Sequence, residues 1–238
     1  MNYYERSDNC LYNPIHVRFN EDLSIGSTFS SSLQYPSFFT LRNSYFNVSQ
    51  NVLNNINSTI KSDVFTFKNG LIDEEIQVND DNNKNNNPEV KYRVITNYAN
   101  TFSKNHILST IVNLMAFVDE KIEYNELNNY NFDLLTGNMF TIGNVFNPNV
   151  DYLKVISNYV NYKISQNKEL YYKDVVVDIP EDQAFYLTDE GIVIYFGVDE
   201  IAPKEFGIPR FTMEYKKFAP YINPRFTALL KIFIQLWD

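Results

Sequence analysis

The chain has 238 residues, a formal net charge of −9 and 44% hydrophobic residues, the composition of a globular protein with a sizeable core rather than a disordered one. The acidic balance argues against nucleic acid as a partner, because phosphate recognition needs clustered Lys and Arg. One cysteine, Cys10, excludes an internal disulfide framework, and no window of about 18 apolar residues offers a membrane span.

Aromatic residues reach 16%, with 18 Tyr and 19 Phe. Tyr suits protein–protein surfaces because it buries area at low entropy cost. The competing reading is drift in an AT-rich genome, which would also enrich Asn, Ile and Lys. The stretch from Met1 to Asp8 is polar and lacks the basic start and apolar run of a secretory signal. It predicts synthesis in the cytoplasm without a signal peptide, followed by deposition at a surface such as that of a spore.

Residues 1–34 read as an N-terminal arm. Asn13-Pro14 bars a helix. Ile15, Val17 and Phe19 alternate with polar residues as in a strand, and Ser30-Ser31-Ser32 reads as a loop. Tyr35-Pro36 opens an N-terminal α+β domain assigned to 35–118. Val52, Leu53, Ile56 and Ile60 fall at helical spacing between Ser49 and Lys61, with Ser49 as N-cap. Val64-Phe65-Thr66-Phe67 reads as a short strand and Asn69-Gly70 as a turn. The Asn-rich segment Asp80 to Pro88 is expected to be a mobile loop connecting two strands. Val90 to Thr96 alternates, and Ile107 to Val118 is a long apolar strand.

A C-terminal α+β domain is assigned to 119–218. Tyr124 to Leu134 reads as a strand closed by Thr136-Gly137, and Ile142 to Phe146 is short and apolar. Asp151 to Gln166 is a second helix, with Tyr152, Val155, Ile156, Tyr159, Val160 and Ile164 on one face. Phe185 to Phe196 reads as strand, tight turn, strand, with Gly191 supplying a positive φ. Val198 to Pro203 reads as extended, Phe211 to Tyr215 as the last strand, and Tyr215 to Tyr221 as irregular. Residues 219–238 form an apolar tail in which Phe226, Leu230, Phe233 and Trp237 recur at helical spacing. Such a tail must be buried, on its own core or a neighbour's. The predicted class is α+β: antiparallel sheets with two main helices and a C-terminal apolar helix.

Chemistry-bearing constellations are sparse. His16 and His106 are the two histidines, and with Cys10 they make a poor set for zinc, which takes three or four ligands. Ser103 and Ser109 flank His106, but no Gly-x-Ser-x-Gly elbow exists, so His106 is expected to be a half-buried residue at a strand end. Asp189-Glu190 and Asp199-Glu200 are adjacent carboxylates. Neighbours on a strand point to opposite faces, so neither pair spans a glycosidase-like cleft. Asn47-Val48-Ser49 and Asn57-Ser58-Thr59 match glycosylation sequons, as chance provides in a chain this rich in Asn. No catalytic, cofactor or metal-ligating residue is assigned.

Three stretches carry a resemblance. They are Tyr35-Pro36 with the helix around Asn51 to Ile60; Tyr130-Asn131-Phe132-Asp133-Leu134-Leu135-Thr136-Gly137 with Asn144-Val145-Phe146; and Phe185 to Phe196 followed by Glu200-Ile201-Ala202-Pro203. Together they resemble the extracytoplasmic domain pair of RsiV-type anti-sigma factors and the non-catalytic domains of PdaC-type peptidoglycan deacetylases, over roughly residues 35–218. The resemblance implies an α+β domain pair. In the deacetylases catalysis resides in a separate metal-dependent domain, for which this chain has no room; in the receptors this domain binds lysozyme. The family's glycine-rich turn after the long strand is replaced here by Phe117 to Tyr124.

The candidate assembly residues are therefore Ile15, Val17 and Phe19 of the arm and Phe226, Leu230, Phe233 and Trp237 of the tail. A strand can add to a neighbour's sheet edge, and an apolar helix can fill a neighbour's groove; both can also pack on their own subunit. The expected function is a non-catalytic structural or interaction protein that self-assembles on a bacterial cell-wall or spore surface, as a spore coat or appendage subunit. Its partners would be further copies of itself or other envelope proteins. The alternative is a soluble RsiV-like binding module recognising lysozyme or a cell-wall glycan. A hydrolase dependent on His106 is the weakest reading.

Overall fold

A computed structural model of the protein describes residues 13–40 and 48–226. Cys10, Asn47 and the tail residues Leu230, Phe233 and Trp237 lie outside the described residues, as does the predicted C-terminal helix. The α+β class is as the sequence predicts. Strands β1 (His16–Ile25), β2 (Phe29–Phe39), β3 (Tyr92–Lys104), β4 (Ile107–Val118) and β5 (Lys121–Asp133) form one sheet in the order β1-β2-β3-β4-β5. All neighbours are antiparallel except β2 and β3, which are parallel. Parallel neighbours need a crossover. Here it runs through helix α1 (Gln50–Lys84), which covers one face of the sheet.

Several local expectations are corrected. Val64 to Phe67 is not a strand, Asn69-Gly70 is not a turn, and the Asn-rich segment does not connect two strands: α1 runs through to Lys84, and only Asn85 to Pro88 form the turn and loop that lead to β3. Leu53, Ile56, Ile60, Val64 and Leu71 are buried along one stripe of this helix. Val, Phe and Thr in a helix cost up to about 0.7 kcal/mol each. Burying one large apolar side chain returns about 1.5–3 kcal/mol, so the stripe outweighs the local preference. Ser30-Ser31-Ser32 is not a loop but part of β2, where Ser31 and Ser32 pair with Val94 and Ile95. Both turns flanking β4 are two-residue loops without glycine. Asn105 and His106 have φ of 54° and 59°, and Asp119 and Glu120 have 45° and 68°. Two positive φ values in succession make type I′ turns, whose twist matches that of the flanking strands.

The second unit follows with α2 (Ile142–Val145), α3 (Tyr152–Gln166), β6 (Phe185–Leu187), β7 (Gly191–Tyr195), β8 (Arg210–Glu214) and α4 (Tyr215–Phe218). Its antiparallel sheet has the order β6-β7-β8. Ile156, Val160 and Ile164 of α3 enter a core with Ile192, Ile194, Phe211 and Met213. Asp151 caps α3 by accepting from Lys154 N at 3.2 Å. Val198 to Pro203 is a series of turns, with Asp199 at φ 68°, rather than an extended segment, and the Tyr215–Tyr221 region predicted as irregular is helical.

The central hairpin is where predicted, but Gly191 is needed for a different reason. Its φ is not in the left-handed region. A Cβ there would meet the Met213 carbonyl oxygen at 2.2 Å, so glycine permits the close approach of β7 to β8. The turn is closed by Thr188, whose hydroxyl accepts from Glu190 N at 3.2 Å and Gly191 N at 3.1 Å.

Asparagine side chains act repeatedly as surrogate backbone. Asn57 accepts from Phe38 N at 2.7 Å and donates to Phe38 O at 2.9 Å. Asn79 makes the same pair with Val90 at 2.8 and 3.0 Å, and Asn161 with Val177 at 2.8 and 2.7 Å. A carboxamide carries a peptide's acceptor and donor on one carbon, so it can complete a ladder position where no strand is available. Asn57 is thereby occupied in α1 and does not present a free sequon amide.

Two outcomes follow for stability. Gly191→Ala should lower unfolding free energy by about 1–3 kcal/mol in a urea titration, as overpacking of a tight site does. Asn79→Ala should cost about 1–3 kcal/mol for each backbone group left buried without a partner. A variant of either kind as stable as the parent would contradict these assignments.

Candidate interaction surface

β1 is an end strand of the large sheet. Its ten residues pair with β2 from His16↔Phe39 to Ile25↔Ser30, and among the described residues nothing pairs with its other side. Val17, Phe19, Leu23 and Ile25 are 42%, 55%, 65% and 93% exposed. These four positions alternate along the strand and so face one way. The predicted candidates Val17 and Phe19 thus lie on this edge, while Ile15 precedes it and is partly buried. Leu23 and Ile25 were missed because Glu21-Asp22 interrupts the apolar alternation; the period-two signal resumes beyond them.

The opposite residues of β1 hold the strand in place. Asn20 donates to Tyr35 O at 3.2 Å and Ser37 Oγ at 3.0 Å. Asp22 pairs with Lys68 of α1 at 3.0 Å. The Arg18 guanidinium lies 5.3 Å from the centre of the Phe39 ring, a cation–π distance. Among the described residues the edge is therefore fixed from behind and open in front.

The other predicted candidate that is described, Phe226, is not on this surface. It is buried, with its ring centre 5.5 Å from that of Phe140. Next to it Arg225 binds Asp133 at the end of β5, at 2.7 Å. That hydrogen bond is the main reason the Asp133 carboxyl sits below its ordinary range. The structure brings the strand candidates together and leaves Phe226 in the core of the second unit.

Most of the groups that could carry chemistry are engaged by the fold. His106 sits in the β3–β4 turn, where its backbone N–H donates to Asn13 Oδ1 at 2.7 Å while its imidazole Nδ1 is buried without a hydrogen-bond partner among the described residues. Ser103 Oγ accepts from the same Asn13 at 3.2 Å. Ser109 is buried and donates to Asn131 Oδ1 at 2.6 Å. Asp189 pairs with the buried Lys104 at 2.8 Å, and Glu200 accepts from Gly197 N at 2.6 Å. Asp199 accepts from the Tyr172 hydroxyl. Among the described residues no three His, Cys, Asp or Glu side chains group as a metal site, and no helix is long and apolar enough to cross a membrane.

A cleft of about 510 Å³ lies between the other edge strand, β5, and the turns after β7. Glu123, Glu126, Asp199 and Lys204 line it with Tyr124 and Tyr195. Tyr195 is held there by donating to Leu127 O at 2.7 Å, and burial pushes its hydroxyl pKa up.

The Asp133 pair makes a pH prediction. A carboxyl whose folded pKa is depressed adds stability above its unfolded pKa of about 3.9, and that stability is lost as pH falls through the folded value. Asp133→Asn should flatten the loss of thermal stability below about pH 4. An unchanged acid limb would show that this pair contributes nothing.

A family model described as "Protein of unknown function (DUF3298)" matches residues 143–216, the span from α2 into α4. No curated protein matches the chain. Among solved structures, a DUF3298 family member from Bacteroides fragilis NCTC 9343 superposes with a TM-score of 0.67 at 13% identity, covering 91% of this chain and 98% of that one. A DUF3298 family protein from Pseudomonas aeruginosa PAO1 gives 0.58 at 11% identity, covering 90% and 95%. At these identities the likeness concerns fold. Residues 143–216 thus match the DUF3298 model, inside an architecture shared along most of the chain with solved structures of DUF3298 family proteins.

Proposed function

We propose that this chain is a non-catalytic interaction protein that self-assembles through the β1 edge, as a structural subunit on a bacterial cell-wall or spore surface. The observation that carries the reading is a ten-residue edge left open among the described residues, with Val17, Phe19, Leu23 and Ile25 exposed along it. An unpaired edge presents a row of N–H and C=O groups that template another strand. Short length, proline, bulges and charged side chains normally blunt such edges, and of these β1 carries only the charges Arg18, Glu21 and Asp22. β1 is long, has no proline and pairs with β2 without a register shift. Burying each apolar side chain of this size contributes up to about 1.5–3 kcal/mol, against an association cost of about 4–15 kcal/mol. A single such contact is modest, and it becomes persistent where copies are concentrated on a surface. The resemblance to the RsiV and PdaC domain pair supports a role at the cell envelope.

A second reading, a binding module for lysozyme or a cell-wall component, is favoured by the β5 cleft. Glu123, Glu126 and Asp199 there would suit a basic protein. Saturable binding of lysozyme in a calorimetric titration, lost on Glu123→Gln with Glu126→Gln, would select it over assembly.

The assembly reading is tested by light scattering over a concentration series. The parent chain should exceed its monomer mass of 27.9 kDa, and Phe19→Asp with Leu23→Asp should return it to that mass while remaining folded. A parent that stays monomeric throughout, or a variant that assembles unchanged, would overturn the reading.

A further inference from the structure

We propose that the occupant of the β1 edge is β1 of a second copy, antiparallel to it about a two-fold axis that passes through Asn20. This rests on β1 being the assembly surface and adds the partner and the register. Two copies of one edge can pair antiparallel only about an axis perpendicular to the sheet. Such an axis keeps each copy's faces on the same side, so directly opposed residues must both be odd or both be even in number. Only a few registers then keep most of the strand paired, and charge separates them.

An axis through Glu21 pairs Val17 with Ile25 and Phe19 with Leu23, but it sets Glu21 against its own copy, a like-charge pair that destabilises, and leaves Arg18 facing Ser24 and Asp22 facing Asn20. An axis through Phe19 shortens the overlap to residues 16–22, sets Val17 against Glu21, and leaves Arg18 facing Asn20. An axis through Asn20 pairs residues 16–24. It places Val17 opposite Leu23, Arg18 opposite Asp22 and Phe19 opposite Glu21, each twice by symmetry. Val17 and Leu23 then meet on the open face, no like charges oppose each other, and opposite charges meet on the helix-bearing face. Arg18 is exposed and its guanidinium already lies over Phe39. Asp22 uses Oδ1 for Lys68 while its side chain stays 40% exposed, which leaves an oxygen for the partner's guanidinium. The two large sheets would become one continuous sheet, and both β1 edges would be removed from solvent.

Cysteine pairing reads the register directly. In a Cys10→Ser background, Val17→Cys protein and Leu23→Cys protein are oxidised separately and as a mixture. Opposed positions on neighbouring strands lie within disulfide reach and offset ones do not, so the mixture should yield cross-linked dimer at about tenfold the level of either variant alone. A charge swap gives an independent readout. Arg18→Asp and Asp22→Arg should each weaken dimerisation, and the double variant should restore it. Preferential cross-linking of Phe19→Cys with itself, or of Val17→Cys with Ile25→Cys, would overturn the register. An oligomer that depends on Phe19 and Leu23 yet forms no β1–β1 cross-link would overturn the partner while leaving β1 as the assembly surface. An oligomer indifferent to Phe19 and Leu23, or a chain monomeric throughout, would overturn both.

Discussion

The two units are held together by a buried polar bridge between Ser109 of β4 and Asn131 of β5. Ser109 Oγ donates to Asn131 Oδ1 at 2.6 Å and accepts from Leu187 N at 3.0 Å, while Asn131 Nδ2 donates to Phe185 O at 2.8 Å. Phe185 and Leu187 point their backbone groups away from β7, to the side where the small sheet ends. Two side chains of the large sheet thus do for β6 what a further strand would do. Lys104 against Asp189 and the Tyr195 hydroxyl on Leu127 O and Asn129 Oδ1 extend the same seam. An unsatisfied group at this depth would cost about 1–3 kcal/mol, so the bridge fixes which edges of the molecule are closed and, by exclusion, which stay open.

That bookkeeping of edges is where fold meets function. β6 is closed by Ser109 and Asn131, and the carbonyl of Thr212 on β8 accepts from the Tyr159 hydroxyl of α3. In the large sheet α1 fixes the strand order, because its crossover makes β2 and β3 parallel neighbours and leaves β1 outside. Among the described residues β1 combines length, an open side and exposed apolar side chains. A two-fold contact through it closes on itself and yields a dimer. A larger array would need a second, different contact, and the apolar tail beyond Phe226 is the stretch of sequence suited to supply one.

Much of the fold was legible. The long strand 107–118, the α3 stripe and the central hairpin follow from plain periodicity, because each buries one face against a single layer. The failures have physical causes. At Val64 to Phe67 four residues prefer strand, but a helical stripe extending to Leu71 outweighs them, and only a longer window sees it. Gly191 reads as a turn glycine from its neighbours, whereas its role is set by a carbonyl on β8 some twenty residues away. The Asn content reads as compositional drift, yet Asn57, Asn79, Asn131 and Asn161 each complete backbone hydrogen bonding. Nothing in the local sequence around an Asn signals that its amide will stand in for a peptide. Of the surface proposed for assembly, Val17 and Phe19 were visible and Leu23 and Ile25 were hidden behind Glu21-Asp22.

The central claim is that the outer side of β1 is closed by another molecule. Amide hydrogen exchange of residues 16–25, measured at low and high protein concentration, tests it most directly. Amides that point away from β2 should exchange rapidly in dilute solution and become protected as concentration rises, while those bonded to β2 stay protected throughout. Protection of the whole strand that does not change with concentration would contradict the account.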